Sequence, residues 1–203
     1  MKLRTLTCGA LALLLAAGLS GCTADEPALP SATPPAASAG PAASAAPAEP
    51  MPILADFTAS DLEGIDRDQT IFEGYKLTMV NVWATYCGPC LGEMPDLGAL
   101  HGEYADQGFQ VVGIVTDVLN QDGSVSEDQV ATAQDVVAST GADYLHLMPS
   151  QDLNDSLLYQ VSAVPTTIFV DESGNLVGEG YLGARSKDGW AAIIDGLLDE
   201  VSK

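Results

Sequence analysis

The sequence predicts an α/β domain, a mixed central sheet with helices on both faces. Three observations support this. Two apolar, β-branched runs, Leu77 to Trp83 and Phe109 to Thr116, are each followed by apolar residues at helical spacing. Later, a strand, a turn and a strand (Thr166 to Val170, Ser173-Gly174-Asn175, Leu176 to Tyr181) precede one last amphipathic segment. Strands alternating with helices and closing on a hairpin require both parallel and antiparallel neighbours in one sheet.

The first 52 residues stand outside that domain. Met1-Lys2-Leu3-Arg4 is basic, and Leu6 to Leu19 is an apolar stretch too short for a membrane span. It ends in Leu19-Ser20-Gly21-Cys22, which resembles the lipobox of bacterial lipoproteins. That resemblance implies cleavage after residue 21 and diacylglycerol on the Cys22 sulfur. The plainer reading is an ordinary secretory signal, and both readings send the domain out of the cytoplasm. Residues 22–52 are Ala-, Pro- and Ser-rich without periodicity, a composition that cannot bury a core. They read as a flexible tether, with ends roughly 30 Å apart as coil or about 90 Å as polyproline helix. Residues 53–203 form the folded domain, which is expected on the extracytoplasmic side of the bacterial cell membrane, held there by lipid.

Within the domain, Asp56 to Asp61 and Thr70 to Glu73 read as two short strands. Leu77 to Trp83 is a buried strand. Leu91, Met94, Leu97 and Leu100 then mark a helix that begins around Cys90 and ends near Gly108. Phe109 to Thr116 is the next strand, and Asp117 to Val125 a polar loop. Ser126 to Gln129 has capping-box form, opening a helix buried through Val130, Ala133, Val136 and Val137 and stopped near Gly141. A short strand (Tyr144 to Leu147) and a short helix (Leu153 to Tyr159) precede the hairpin. Trp190, Ile193, Ile194, Leu197, Leu198 and Val201 lie on one face of the last helix.

The chemistry gathers at Cys87-Gly88-Pro89-Cys90, where the central strand meets its helix. Unpaired N–H groups and the helix dipole put partial positive charge there, which favours thiolate, the nucleophilic form. Pro89 suits a first helical turn because it has no N–H to leave unpaired. A structural zinc site would need two more ligands. Cys8 leaves with the signal, Cys22 carries lipid, and His101 lies eleven residues past Cys90, roughly 16 Å along the helix. The pair therefore reads as a reactive dithiol, with no metal and no cofactor. The balance of 28 acidic against 7 basic residues, net −21, argues against nucleic-acid binding and against adsorption on anionic lipid.

Trp83-Ala84-Thr85-Tyr86-Cys87-Gly88-Pro89-Cys90 together with Val164-Pro165-Thr166 resembles the landmarks of the thioredoxin fold. Asn81 two before the tryptophan, Glu93-Met94-Pro95 after the second cysteine, and the length of Val111 to Leu153 are similar to the TlpA/ResA-like branch. These are membrane-anchored thiol-disulfide oxidoreductases. The resemblance implies an N-terminal β-hairpin extension and a central β/α insertion. It implies an exposed Cys87 that attacks, a buried Cys90 that resolves the mixed disulfide, and a cis Pro165. It makes Glu93, one helical turn past Cys90, the shuttle for the Cys90 proton, since a carboxyl against an apolar wall takes up a proton more readily. Partner contacts are expected from Trp83, Tyr86, Gly88, Pro89, Val164 and Pro165. Tyr86 stands where the branch usually has a second tryptophan, and Gly88-Pro89 is the dipeptide of the reductant thioredoxin, so reduction is the expected direction.

Expected partners are disulfide-containing exported proteins, with apocytochrome c and methionine sulfoxide reductase as examples, and an integral-membrane thiol relay as electron donor. Dithiol oxidase or isomerase is the alternative reading. A copper chaperone needs C-x-x-x-C and a placed histidine, which this spacing does not supply. A peroxidase needs threonine three before the cysteine, where Ala84 stands.

Overall fold

The computed structural model describes residues 50–203. The signal segment, Cys22 and nearly all of the tether lie outside the described residues. The main sheet has five strands in the order β5-β4-β3-β6-β7. Central β3 (Leu77–Trp83) runs parallel to β4 (Phe109–Val115), and β4 runs parallel to β5 (Leu145–Leu147). On its other side β3 pairs antiparallel with β6 (Thr166–Val170), which pairs antiparallel with β7 (Leu176–Leu182). Every residue of β3 and β4 is buried, as strands covered on both faces require.

Alternation along the strands divides two cores. Leu77, Met79 and Trp83 of β3, Phe109, Val111 and Val115 of β4 and Phe169 of β6 face one side. Three helices cover them: α1 (Gly88–Glu103), α2 (Glu127–Thr140) and α4 (Lys187–Val201). Val80, Val82, Val112, Ile114, Ile168 and Val170 face the other side. That side is covered by α3 (Gln151–Ser156), Leu157, and the N-terminal stretch with Leu54, Phe57 and Phe72. Helices thus lie on both faces.

Sequence signals fixed most boundaries. Ser126 accepts the Gln129 N–H at the head of α2, and Gly141, at φ +67°, ends that helix in a left-handed turn. Gly108, at φ +81°, ends the short 3-10 turn Ala105–Gln107 that follows α1. Helix α1 starts two residues earlier than expected, at Gly88. Pro95, inside it, has no N–H to offer the Leu91 carbonyl.

The N-terminal hairpin differs in its second strand. β1 (Thr58–Ser60) pairs antiparallel with β2 (Asp66–Asp68). Thr70 to Glu73 is not a strand; Gln69–Phe72 is a 3-10 turn. Asp68 caps it, accepting both the Thr70 N–H and the Thr70 hydroxyl, and this local bonding overrides the β-branched sequence. The hairpin reaches the β5 edge through Leu62 N–H to the His146 carbonyl and Met148 N–H to the Ser60 carbonyl. At the other end of the domain, Leu176 N–H donates to the Met51 carbonyl and Leu54 N–H to the Gly174 carbonyl, which fastens Met51 to Leu54 onto the β6–β7 turn.

Candidate active site

The site begins where β3 ends. The Trp83 carbonyl accepts the Thr116 N–H and hydroxyl from the end of β4. Asp117, the next residue, takes the Thr85 N–H on both oxygens at 3.1 Å and the Thr85 hydroxyl on Oδ2. The Ala84 carbonyl accepts the Cys87 N–H at 3.0 Å. The segment that carries the dithiol is therefore clamped by the strand beside it.

Cys87 is the N-cap of α1, and its sulfur accepts the Cys90 N–H at 3.2 Å. Cys87 and Cys90 form a disulfide, with Cα atoms 5.3 Å apart. Cys87 is 6% exposed and Cys90 0%. The order of accessibility is as expected, but Cys87 is not the exposed residue the sequence suggested. Its sulfur turns inward over the first helical turn, towards the Cys90 amide. Exposure falls on its neighbours: Tyr86 is 78% exposed, and Gly88 and Pro89 are open to solvent.

Register brings the second landmark alongside. Val82 pairs with Thr166, so Val164-Pro165 continues next to Trp83-Ala84. The Val164-Pro165 peptide bond is cis. Pro165 itself is buried, so its ring is not a contact surface; Val164 is half-buried, and its N–H and C=O have no hydrogen-bond partner among the described residues. Tyr86 and Val164 line one groove of about 370 Å³ with Leu119, Leu158 and Val161.

Trp83 is not the partner contact that the sequence suggested. It is fully buried, so no partner can touch it. Its indole N–H donates to His146 Nδ1 at 3.2 Å, and His146 Nε2 faces the Ala142 carbonyl at 3.1 Å. This fixes the tautomer, with the proton on Nε2. Burial pushes the His146 pKa down to about 4, which keeps the ring neutral. Gly113 of β4 leaves room for both rings: a Cβ there would stand 2.8 Å from His146 Cε1 and 3.1 Å from Trp83 Nε1.

Glu93 lies one turn below Cys90 and is buried. Its Oε1 accepts Asn81 Nδ2 at 3.0 Å; its Oε2 accepts the Arg185 N–H and the Trp190 indole N–H, each at 3.1 Å. Asn81 Nδ2 also donates to Thr167 Oγ1, while Asn81 Oδ1 is buried without a partner. A carboxylate has about four acceptor positions, and three N–H donors fill three of them. One acceptor position, on Oε1, is left open.

The sequence did not place Asp117, Thr167, Arg185 and Trp190 at the site. They contact Thr85, Asn81 and Glu93 across separations of up to 97 residues, which no local pattern records. His101 sits away from the dithiol, accepting the Val111 N–H. Among the described residues no three His, Cys, Asp or Glu side chains are grouped to hold a metal ion.

Residues 50–178 match the AhpC/TSA family. The chain is 32% identical over 122 residues to thiol-disulfide oxidoreductase ResA of Halalkalibacterium halodurans, covering 60% of this chain and 62% of that relative. The match thus spans about three fifths of that relative's length. The thioredoxin-like protein YneN of Bacillus subtilis is 31% identical over 132 residues, 65% of this chain and 71% of that one. A thiol:disulfide interchange protein of the thioredoxin family from Chlorobium tepidum superposes with a TM-score of 0.62 at 27% identity, covering 75% of this chain and 99% of that one.

Proposed function

The chain belongs to the AhpC/TSA family, with a thioredoxin-like fold, and from that premise we propose that it is a thiol-disulfide oxidoreductase that reduces disulfides in partner proteins. The observation that carries this is the placement of one pair of sulfurs. Cys87 and Cys90 are joined as a disulfide at the N-terminus of α1, with the buried carboxylate of Glu93 one turn further in.

In the reduced protein, the Cys87 thiolate attacks one sulfur of the partner's disulfide. A Cys87–partner bond forms, the partner S–S bond breaks, and the first partner sulfur leaves as thiolate. Cys90 passes its proton to Glu93 Oε1 and attacks Cys87 Sγ. The Cys87–Cys90 bond forms and the second partner sulfur leaves. Two electrons have moved to the partner, and the structure corresponds to the oxidised product. An external dithiol must reverse this; an integral-membrane thiol relay fits an exported domain. Peroxide chemistry is disfavoured, because buried Ala84 offers no hydroxyl three residues before Cys87.

The partner strand pairs with the free backbone groups of Val164 in an extended, strand-addition mode. Tyr86, Gly88 and Pro89 form the rim it crosses. Suitable partners are exported proteins that present a cysteine pair in an extended segment, such as apocytochrome c at its haem-attachment cysteines or methionine sulfoxide reductases. The lipobox-like Cys22 would tether the domain to the outer face of the cell membrane; replacing Cys22 with serine would then release the protein from membranes.

A Cys90→Ser variant in the native host tests the chemistry. It should accumulate partners disulfide-bonded to Cys87, and recovery of none would refute the order of attack. A redox potential near about −270 mV is expected of a reductant, whereas one near about −120 mV would reverse the direction.

A further inference from the structure

We propose that Arg185 is a positioning residue: it holds the Gly183–Ser186 loop so that two N–H donors reach Glu93. This rests on the reading of Glu93 as acceptor of the Cys90 proton.

The loop between β7 and α4 touches both halves of the site. Gly183 N–H donates to the Pro165 carbonyl at 2.8 Å, which fastens the cis-proline segment. Two residues on, the Arg185 N–H donates to Glu93 Oε2. Ser186 then caps α4 through the Gly189 N–H, and Trp190 in the first turns of α4 sends its indole N–H to the same Oε2. One short loop therefore sets the backbone beside the partner strand and two of the three bonds to the carboxylate.

The Arg185 side chain closes this loop. Its Nη1 donates to the Gly183 carbonyl at 3.1 Å. Its guanidinium carbon lies 4.8 Å from the Tyr181 ring centre and 5.0 Å from that of Trp190, while the two rings meet edge-on at 5.8 Å. Phe169 supports both rings from β6. A planar cation over two ring faces, with one donor on a carbonyl, is a geometry that lysine does not reproduce.

Like Lys76 and Lys203, and unlike Arg67 and Lys187, Arg185 makes no ion pair among the described residues. Its partners are two aromatic faces and a backbone oxygen of its own loop. Such contacts recognise no external ligand; they fix the loop. Neither Gly183, at φ +84°, nor Ala184 supplies a side-chain anchor of its own.

The test uses the full chain. Reduced protein is mixed with oxidised glutathione, and disulfide closure is timed across pH 5 to 10. Arg185→Ala, Arg185→Lys, Glu93→Gln and the double variant Arg185→Ala/Glu93→Gln are compared with wild type. Glu93→Gln should change the pH profile of closure. Arg185→Ala should displace it by about half a unit or more, and Arg185→Lys should follow Arg185→Ala rather than wild type. Arg185→Ala should add no further displacement to Glu93→Gln. A purely structural arginine would lower the melting temperature and leave the profile in place.

If Glu93→Gln changes the profile while both Arg185 variants keep the wild-type one, the proposal is overturned and the Glu93 role stands. Should Glu93→Gln itself leave the profile unmoved, the Glu93 role fails and takes the proposal with it. A wild-type profile for Arg185→Lys would reduce the residue to a bare charge and overturn positioning by the stacked plane. Arg185→Lys also supplies the reading if Arg185→Ala does not fold.

Discussion

Gly113→Ala is a small change with a large expected cost. Gly113 lies in the middle of β4, under His146 and Trp83, and an added methyl would stand 2.8 Å from His146 Cε1, 3.1 Å from Trp83 Nε1 and nearest of all to His146 Nδ1. Alanine in place of glycine would by itself stabilise the fold by about 0.4–1 kcal/mol through the unfolded chain. Overpacking opposes this with about 1–3 kcal/mol. The imidazole must also move, which breaks the Trp83 N–H to His146 Nδ1 bond and strands a buried donor, at about 1–3 kcal/mol more. The net expectation is a loss of about 1–6 kcal/mol in urea denaturation of the oxidised protein, with a changed Trp83 emission. His146→Ala clears the space that the methyl needs. The double variant should therefore be less destabilised than the two single losses added together, by about 1 kcal/mol or more. A Gly113→Ala protein within about 0.5 kcal/mol of wild type, or strictly additive losses, would refute this account of the packing.

Three further outcomes follow from the same contacts. Because burial holds His146 neutral with a pKa of about 4, the unfolded chain binds more protons than the fold between about pH 6.5 and pH 4. Its contribution to stability is full above about pH 6.5 and is lost as pH falls through that window, by at most about 1.4 kcal/mol per unit. The wild type should therefore show a steeper acid loss than His146→Gln in denaturation series, while His101, partly buried and shifted the same way, adds equally to both. Asp117→Ala should loosen the dithiol segment, since Thr85 loses the acceptor of both its N–H and its hydroxyl; hydrogen exchange at the Thr85 amide should rise about tenfold or more, that is about 1.4 kcal/mol. Glu93→Gln should lower the stability of the oxidised form by about 1–3 kcal/mol in urea denaturation. Asn81 can offer its Oδ1 to the new amide only by turning its own N–H groups into the buried position where Oδ1 has no partner, so donors are left unpaired.

Local signals decided which parts of this molecule could be read in advance. Leu77 to Trp83 and Thr166 to Val170 have the observed strand bounds, because burial of these strands leaves runs rich in apolar and β-branched residues. Ser126 and Gly141 bracket α2 through bonds and dihedrals that belong to those residues alone. Thr70 to Glu73 misled because Thr-Ile-Phe favours a strand by composition, while one aspartate at 68 bonds the backbone into a turn. Asp66-Arg67-Asp68 has no strand pattern at all; it is held by Arg67 on buried Asp61. In the site, the sulfurs and Glu93 share one helix, so spacing places them. Their surroundings come from β4, β6 and the β7–α4 loop. Nothing in the spacing shows that Cys87 folds its sulfur inward, or that Trp83 turns its N–H to His146 rather than to a partner.

The attachment of Met51 to Leu54 at the β6–β7 turn has a practical consequence. The five residues of β6 separate that turn from Pro165 by roughly 17 Å. Anything joined upstream of residue 50, be it a natural anchor, a fusion partner or a support for immobilisation, pulls on the base of the domain. The redox tip lies at the opposite end of β6 from that attachment, so coupling through the residues before Met51 leaves its sulfurs free to work.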